Sequence, residues 1–374
     1  MELTNNINHN NKVSLAFAAI DKKFETSIPS FAESDTRGKD YVQYGEENQV
    51  PEYLYGLYLS VSTLRTVIDG TADYVAGNDC IFNLDNFKTE VNKKGDTAFE
   101  LVRLLARDYN LYGGFAIEVL RNKDGNVGQL NYVDFRYLRS DKDNNLFWYS
   151  EEWDRKYSRS YKTIVLPKFV AEAKDIARSI VYVKNEKSHT YPIPKYSGAL
   201  KGCEIERHID EFHLASLENG FVPSYIINFL NGIPEDEQKA EIEKNVREKF
   251  AGAQNAGAFI LNFADTKENA ATVEQLDVTD FGDKYQAAAT RAREQIFCAF
   301  RAVPAIFGLM TESKGFAEEE FEQAFRLYNR TAVKPVQRVI CDTMDKIFGV
   351  KNSLTIDAFT IDEEKNNNDA QIAE

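Results

Sequence analysis

The sequence has few of the residues that build covalent or metal-bound frameworks. Its 374 residues include only four cysteines and four histidines, and no two cysteines stand in a C-x-x-C arrangement. Most of the cysteines lie in apolar helical patterns, so we expect buried free thiols in a reducing cytosol rather than disulfides. His208 and His213 flank Asp210 and Glu211, but five residues turn a helix by ~500°, which points the two rings apart. We therefore expect no metal site.

Motifs of common enzyme chemistry are also missing. The sequence has no G-x-x-x-x-G-K-[ST] phosphate loop, no G-x-G-x-x-G turn and no G-x-S-x-G nucleophile elbow. Carboxylate runs such as Glu318–Glu320 are adjacent in sequence, and adjacent residues do not face each other on a helix. We interpret them as solvated surface, and predict no catalytic residues and no cofactor.

Long apolar runs are absent too. No stretch approaches ~18 uninterrupted apolar residues, so no membrane span is expected, and Met1–Asn6 lacks the basic start of a signal peptide. The 59 acidic residues outnumber the 45 lysines and arginines, for a formal net charge of −14. This balance does not favour tight phosphate binding. The acidic charge either simply keeps the protein soluble or prevents tight binding of a nucleic acid that has to slide past the protein.

Hydrophobic periodicity predicts an α+β fold. Three- and four-residue spacings of apolar residues predict five principal helices: from Pro51 to about residue 77, over 96–111, over about 203–219, from about 280 to 301 and from about 316 to 348. Pro335 lies inside the last of them and should kink it. Alternating and β-branched runs predict strands at 115–120, 130–133, 145–150, 161–166, 221–230 and 259–263.

The two ends of the chain are polar. Residues 1–50 are predicted to form a loose arm anchored by residues such as Phe24 and Phe31. The arm is interpreted either as a disordered terminus or as a segment that wraps a neighbouring subunit. Residues 361–374 are acidic and rich in asparagine, and we expect them to be disordered.

Several sequence blocks occur in a distinctive order. They are Tyr112–Val119 with the Asp124-Gly125 turn and Leu130–Leu138, then Leu217–Pro223, Gln254–Gly257, Phe281–Arg301 with Val303–Gly308, and Phe325–Tyr328 with Lys334-Pro335. Together, over about residues 54 to 348, they resemble the portal proteins of tailed bacteriophages. Each block alone is weak, and the specificity lies in their order and spacing. The chain is short for that family, with little sequence after residue 349.

The resemblance implies a portal fold with an α/β wing, a two-helix stem, a small α/β clip, a long kinked C-terminal helix and a reduced crown. The implied parts are an N-terminal arm (1–50), the wing (51–200), the first stem helix (201–220), the clip (221–277), the second stem helix (278–303), a tunnel loop (304–316), the kinked wing/crown helix (317–349) and a tail (350–374).

The implied function is that of a structural conduit and not of an enzyme. A portal-like chain would form a homo-oligomeric ring, expected to be a dodecamer, at the capsid vertex of the virion, after assembly in the host cytoplasm. The ring would bind the major capsid protein, the terminase large subunit and the head–tail adaptor, and would contact double-stranded DNA transiently and without sequence specificity. The alternative is a portal-like ring protein of a defective prophage or gene-transfer particle. An adaptor or an enzyme is a less favoured reading.

On the implied second stem helix, three cations are expected to face DNA. Lys284 and Arg291 stand seven residues apart on one helical face, and Arg293 is expected to project nearby. The alternative for these residues is ordinary surface ion pairing with Asp283 or Glu294.

The implied tunnel loop joins the last two long helices. Its polar residues Thr311, Glu312, Ser313 and Lys314, followed by Gly315, suit a loop that reaches towards DNA. The alternative is a plain connection between helices.

Overall fold

A computed structural model describes ten stretches of the chain: residues 28–33, 40–45, 48–153, 163–218, 225–229, 238–239, 241–242, 259–263, 278–309 and 318–360. The principal helices are α1 Val50–Ser60, α2 Ser62–Ala76, α3 Ala98–Leu111, α4 Leu200–Glu218, α5 Val278–Phe300, α6 Glu318–Tyr328 and α7 Lys334–Phe348. The strands are β1 Asp79–Phe82, β2 Gly114–Arg121, β3 Val127–Val133, β4 Leu138–Ser140, β5 Leu146–Tyr149, β6 Ile164–Pro167, β7 Arg178–Lys184, β8 Tyr225–Phe229, β9 Phe259–Phe263 and β10 Leu354–Asp357.

The chain divides into two compact units, and helices α4 and α5 each run from one into the other. One unit comprises Met1–Thr26 and Arg207–Ala289, and the other comprises Ser27–Glu206 and Thr290–Glu374. None of the helices in the described part of the chain is both long and apolar enough to cross a bilayer. The predicted α+β class is confirmed.

In the larger unit, the apolar stripe from Pro51 to about residue 77 belongs to two helices and not to one. Val61 separates α1 from α2 with extended backbone angles, φ −103° and ψ 106°. Its side chain is fully buried, as are those of Leu54 and Leu64 on either side. Periodicity did not show the break, because both helices bury their stripes in the same core. α3 matches its prediction, and a capping box of Thr97 and Glu100 begins it.

Two three-stranded sheets complete the centre of this unit. β2 and β3 confirm the strands predicted at 115–120 and 130–133. They form an antiparallel hairpin around Gly125, whose φ of 79° suits a glycine in a tight turn. β7 pairs with the other edge of β2, so the strand order is β3-β2-β7. In the second sheet, β5 and β6 confirm the strands predicted at 145–150 and 161–166, and they pair with each other. β4 pairs with the other edge of β5. Periodicity did not identify β4 or β7, because β4 has three residues and β7 is mostly half-buried.

The C-terminal helix is interrupted more widely than a proline kink requires. α6 ends at Tyr328, a π turn follows over Asn329–Val333, and α7 begins with Pro335 in its first turn. Proline lacks the N–H that would bond to the preceding turn, so the regular hydrogen-bond ladder stops here. Downstream, β10 pairs antiparallel with β1, which brings residues assigned to the tail into the fold. β10 has four residues, too few for a clear alternation.

Part of the expected N-terminal arm packs firmly on the larger unit. The ring of Tyr44 stacks on Tyr191 with a centroid distance of 4.2 Å, and the amide of Val42 donates to the carbonyl of Ser140 at 2.9 Å. Phe31 packs against the core as predicted. Phe24 lies outside the described residues.

In the smaller unit, β8 and β9 confirm the two strands predicted at 221–230 and 259–263. They pair in parallel, with Tyr225 opposite Phe259. Parallel neighbours need a crossover connection between them. Residues 238–239 and 241–242 of that connection are helical, and the rest of the connection lies outside the described residues.

Candidate functional site

The predicted DNA-facing cations of the stem all lie on α5, but not on one face. Arg291 and Arg293 are exposed on either side of Ala292, which is buried. Two residues differ by ~200° around a helix, so these side chains project to different sides. Lys284 belongs to the part of α5 in the other unit, and its side chain lies outside the described set. Neither Arg291 nor Arg293 makes an ion pair within the part of the chain that the structure describes, so pairing with Glu294 is not observed.

The four predicted tunnel-loop residues, Thr311, Glu312, Ser313 and Lys314, lie outside the described residues. The residues that lead into this loop, up to Leu309, are described. A 3₁₀ turn, Pro304–Phe307, ends at Gly308 in a left-handed conformation. The Phe307 ring lies so close to Gly70 of α2 that a Cβ there would come within 2.8 Å of it. The Tyr74 hydroxyl also donates to the Ile306 carbonyl at 2.5 Å. The chain therefore enters the loop from a turn held against α2.

The two predicted stem helices, α4 and α5, contact each other in each unit. In the larger unit, a Cβ on Gly202 would come within 2.9 Å of the Gln295 side chain and 3.2 Å of the Ala292 carbonyl. A glycine therefore allows this close approach of the two helices. In the smaller unit, Phe212 stacks on Tyr285 with centroids 4.8 Å apart. The two helices therefore pack against each other within the chain.

The first turns of α4 carry two buried carboxylates, which join this helix to α1 and α2. Glu204 accepts a hydrogen bond from the Tyr53 hydroxyl of α1 at 2.8 Å. Glu206 lies against the start of α2 and is 2% exposed. We call residues 202–206, which include Gly202 at the contact with α5, the α4 junction. Three helices meet α4 in these five residues.

Glu206 supplies the N-terminal cap that the sequence of α2 lacks. The residue before α2 is Val61, whose side chain cannot accept a hydrogen bond. Instead, Oε1 of Glu206 accepts from the Thr63 amide at 3.2 Å, the Thr63 hydroxyl at 2.7 Å and the Ser62 hydroxyl at 3.1 Å. A carboxylate at a helix N-terminus is also favoured by the helix dipole. Sequence reasoning missed this residue, and the valine at the cap position was the only signal for it.

The four cysteines are free thiols. Cys203 is buried inside the α4 junction, and burial raises the pKa of its thiol to about 12, with the Glu206 and Glu204 carboxylates adding to the effect. The thiol therefore stays protonated and unreactive. Cys80 is also buried, but Cys298 is exposed, since α5 turns neighbouring Ile296 and Phe297 towards the core. For Cys298 the prediction of a buried thiol is wrong. No group of side chains suited to a metal ion occurs among the described residues.

α4 exposes large apolar side chains in the single chain. Among the apolar residues that recur at three- and four-residue spacings along this predicted helix, Ile209 is 8% exposed, whereas Ile205 is 42% and Phe212 is 44% exposed. Leu214 is 59% exposed. Ile205 and Phe212 are seven positions apart and so share one side of α4, and exposed apolar groups that lie together are typical of surfaces that bind another protein. The helix thus offers more apolar surface than its own chain covers.

The sequence was compared with models of protein families. The model described as phage portal protein matches residues 87–368, which is more than half of the chain. This chain belongs to the phage portal protein family. The resemblance in its sequence blocks is thereby confirmed, and portal function, a structural role in a virus particle, is the function of the family. No curated protein matches the portal chain at the level of sequence.

Solved structures agree on the fold of this portal protein. It is similar to a chain in the neck of a native gene transfer agent particle, with a TM-score of 0.51, 16% identity, and coverage of 81% of this chain and 83% of that one. It is also similar to a chain in the virion of a native gene transfer agent particle, with a TM-score of 0.51, 17% identity, and coverage of 81% and 82%. A weaker likeness, with a TM-score of 0.47, 13% identity and coverage of 77% and 87%, links it to an HK97-family phage portal protein from Corynebacterium diphtheriae.

Proposed function

We propose that this portal protein assembles into a homo-oligomeric ring at the capsid vertex, and that DNA passes through the ring during packaging and ejection. The observation that carries the proposal is the family match, which runs through both candidate stem helices and the kinked C-terminal helix. The apolar residues exposed on α4 support assembly, since a neighbouring subunit would cover them. We infer no catalytic role.

A dodecamer is the proposed ring size. The similar gene transfer agent neck was computed with C12 symmetry, and a neck of the empty particle with C6 symmetry. Both are symmetric about one axis, as a closed ring requires. Within the ring, α4 and α5 would form the stem, residues 51–200 and 317–349 the wing and its kinked helix, and residues 221–277 the clip.

The clip is proposed as the docking site for the terminase large subunit and then for the head–tail adaptor. In the described residues, β8 and β9 pair only with each other, so each has an open edge. Open strand edges accept strands from other chains. The wing would bind the major capsid protein, and assembly would take place in the host cytoplasm.

DNA contacts are proposed to be transient and without sequence specificity. The net charge of −14 repels phosphates over most of the surface, which lets DNA slide. Arg291 and Arg293 are exposed and lack ion pairs in the described chain, so they are available to phosphates, and Lys284 and the loop residues 311–314 are proposed to join them. A portal-like protein of a gene-transfer particle is the second candidate, favoured by the likeness to chains of gene transfer agent particles.

Ring formation is directly measurable. We expect the purified chain to form particles of about twelve times its 42.6 kDa mass by light scattering, with rings visible by negative-stain microscopy. Ile205→Asp with Leu214→Asp should leave a folded but dissociated chain, because charges replace covered apolar groups. Val350→Asp, at a residue 49% exposed outside α4, is the control and should keep the rings. A stable wild-type monomer at micromolar concentration, with no rings at any salt concentration, contradicts the proposal.

The loop assignment has its own test. Glu312→Ala with Lys314→Ala should leave the ring intact but reduce DNA-filled particles, because the loop would lose the Lys314 ammonium group that is proposed to hold the passing phosphates. The measurement is nuclease-protected DNA per particle. Glu172→Ala with Lys351→Ala changes the same charges at exposed positions elsewhere and should package normally. Normal packaging and genome retention by the loop variant would show that the loop has another role.

A further inference from the structure

A row of four cations follows the outer face of the C-terminal helices. Arg326, Arg330, Lys334 and Arg338 are all exposed, and together they line one open groove on α6, the π turn and α7. The opposite side of the same helices is buried in a hydrophobic core, where Ile340 has no exposed surface. The row is therefore fixed to a rigid support and points away from the body of the unit. We call these four residues the basic row.

The π turn aligns the basic row. An α-helix turns by ~100° per residue, so an unbroken helix would set Arg326 and Arg338 ~120° apart around its axis. Asn329–Val333 forms a π turn, in which the wider i→i+5 ring turns each residue through a smaller angle. Its five residues remove roughly 90° of that offset. The π turn before Pro335 thus brings Arg326 and Arg338, at the two ends of the row, towards one face of the helices.

The cations of the row are largely uncommitted. Arg326 pairs with Glu322 at 2.9 Å on an exposed surface. Arg330, Lys334 and Arg338 make no ion pair with any residue in the described part of the chain. Four cations within thirteen residues, three of them without an ion pair in the described chain, are a marked local departure in a chain of net charge −14. Like charges in a row repel one another, so the row is stabilised when an anion covers it.

We infer that the basic row binds the phosphate backbone of double-stranded DNA. Twelve residues of helix extend the row over ~18 Å, which suits a linear polyanion better than a compact acidic group. Three of its members are arginines, whose planar guanidinium group binds phosphate through two hydrogen bonds. Contacts to phosphate carry no sequence information, so one row serves any DNA sequence. The choice of DNA among polyanions rests on the proposed function.

The test is DNA binding by the full assembled chain. Fluorescence anisotropy with 30-base-pair duplexes of two unrelated sequences gives the dissociation constant over a range of salt concentrations. The triple variant Arg330→Gln, Lys334→Gln, Arg338→Gln should weaken binding at least tenfold and lower the slope of log K against log salt by about 2–3. Both duplexes should respond equally. Arg330→Lys with Arg338→Lys keeps the charges and should retain most of the affinity.

Two controls separate the outcomes. Lys93→Gln, Lys94→Gln, Lys142→Gln removes three exposed cations elsewhere and should leave affinity within about twofold, since those residues form no row. Equal losses in both triple variants, or no loss in the row variant while rings are present, would overturn the inference. Rings that dissociate in the row variant without DNA would instead assign the row to an acidic surface of a second copy. If the wild-type chain forms no rings, the proposed function is contradicted. The mass of the wild-type particles detects that outcome independently of the DNA-binding results.

Discussion

Glu206→Ala is expected to lower the free energy of unfolding by about 2–4 kcal/mol. The substitution removes the only acceptor that the described residues offer to the buried Thr63 amide and hydroxyl at the start of α2, and leaves a cavity where a side chain 2% exposed had been. It also disconnects α4 from α2, so ring assembly should fail at a lower urea concentration than in the wild type. Urea denaturation at a fixed protein concentration measures the first effect, and light scattering measures the second.

Two further variants test whether the stability lost in Glu206→Ala comes from the helix cap. Glu206→Gln keeps the accepting oxygen and should recover much of the lost stability, since only the charge at the helix N-terminus is removed. Glu211→Ala lies on the same helix, but its side chain is 60% exposed and contacts His208 at 3.1 Å. This control should cost less than about 0.5 kcal/mol. Equal costs for Glu206→Ala and Glu211→Ala would show that capping in this junction does not matter.

Gly77→Ala is expected to be the most destabilising small substitution in the larger unit, at about 3–4 kcal/mol. Gly77 follows α2 with φ 72° and ψ −150°, a region open essentially to glycine alone. A Cβ there would overlap the carbonyl oxygen of Asp357, which accepts from the Asn78 amide at 2.8 Å. β10 would have to leave β1, so the amides of residues 354–357 should exchange with solvent faster.

The matched control is another glycine-to-alanine change. Gly56 lies inside α1, and a Cβ there meets no atom within 4 Å. Because alanine favours helix and lowers the entropy of the unfolded chain, Gly56→Ala should stabilise the protein by about 0.5–1 kcal/mol. Urea midpoints of the two variants should therefore move in opposite directions. An unchanged midpoint for Gly77→Ala would mean that β10 contributes little to the fold.

The secondary structure was largely predictable, because the signals are local. The hairpin of β2 and β3 follows from two apolar runs and a turn at Gly125, and α3 from its periodicity. The predicted second long helix of the stem ends at Phe300, close to the expected residue 301. Each of these features depends on residues within a few positions of one another, whose hydrogen bonds close within the segment itself.

The candidate site was less predictable, because exposure and alignment are properties of the packed chain. Periodicity placed Ile205 and Phe212 on one stripe of α4, but could not tell that both remain exposed in the single chain. It placed Pro335 in the last helix, but not the π turn that precedes it and aligns Arg326 with Arg338. A prediction from residue spacing treats the helix as regular throughout. It therefore cannot detect a local change in the number of residues per turn.

The sequence by itself determined most of the helices and the longer strands in their order, the α+β class and the family resemblance. These depend on short-range patterns and on the order of blocks along the chain. Only the tertiary structure decided that Glu206 caps a helix beginning 144 positions earlier, and that β10 pairs with β1. The physical reason is that a buried hydrogen-bonding group must find a partner wherever the fold brings one, and chain distance places no limit on which partner that is.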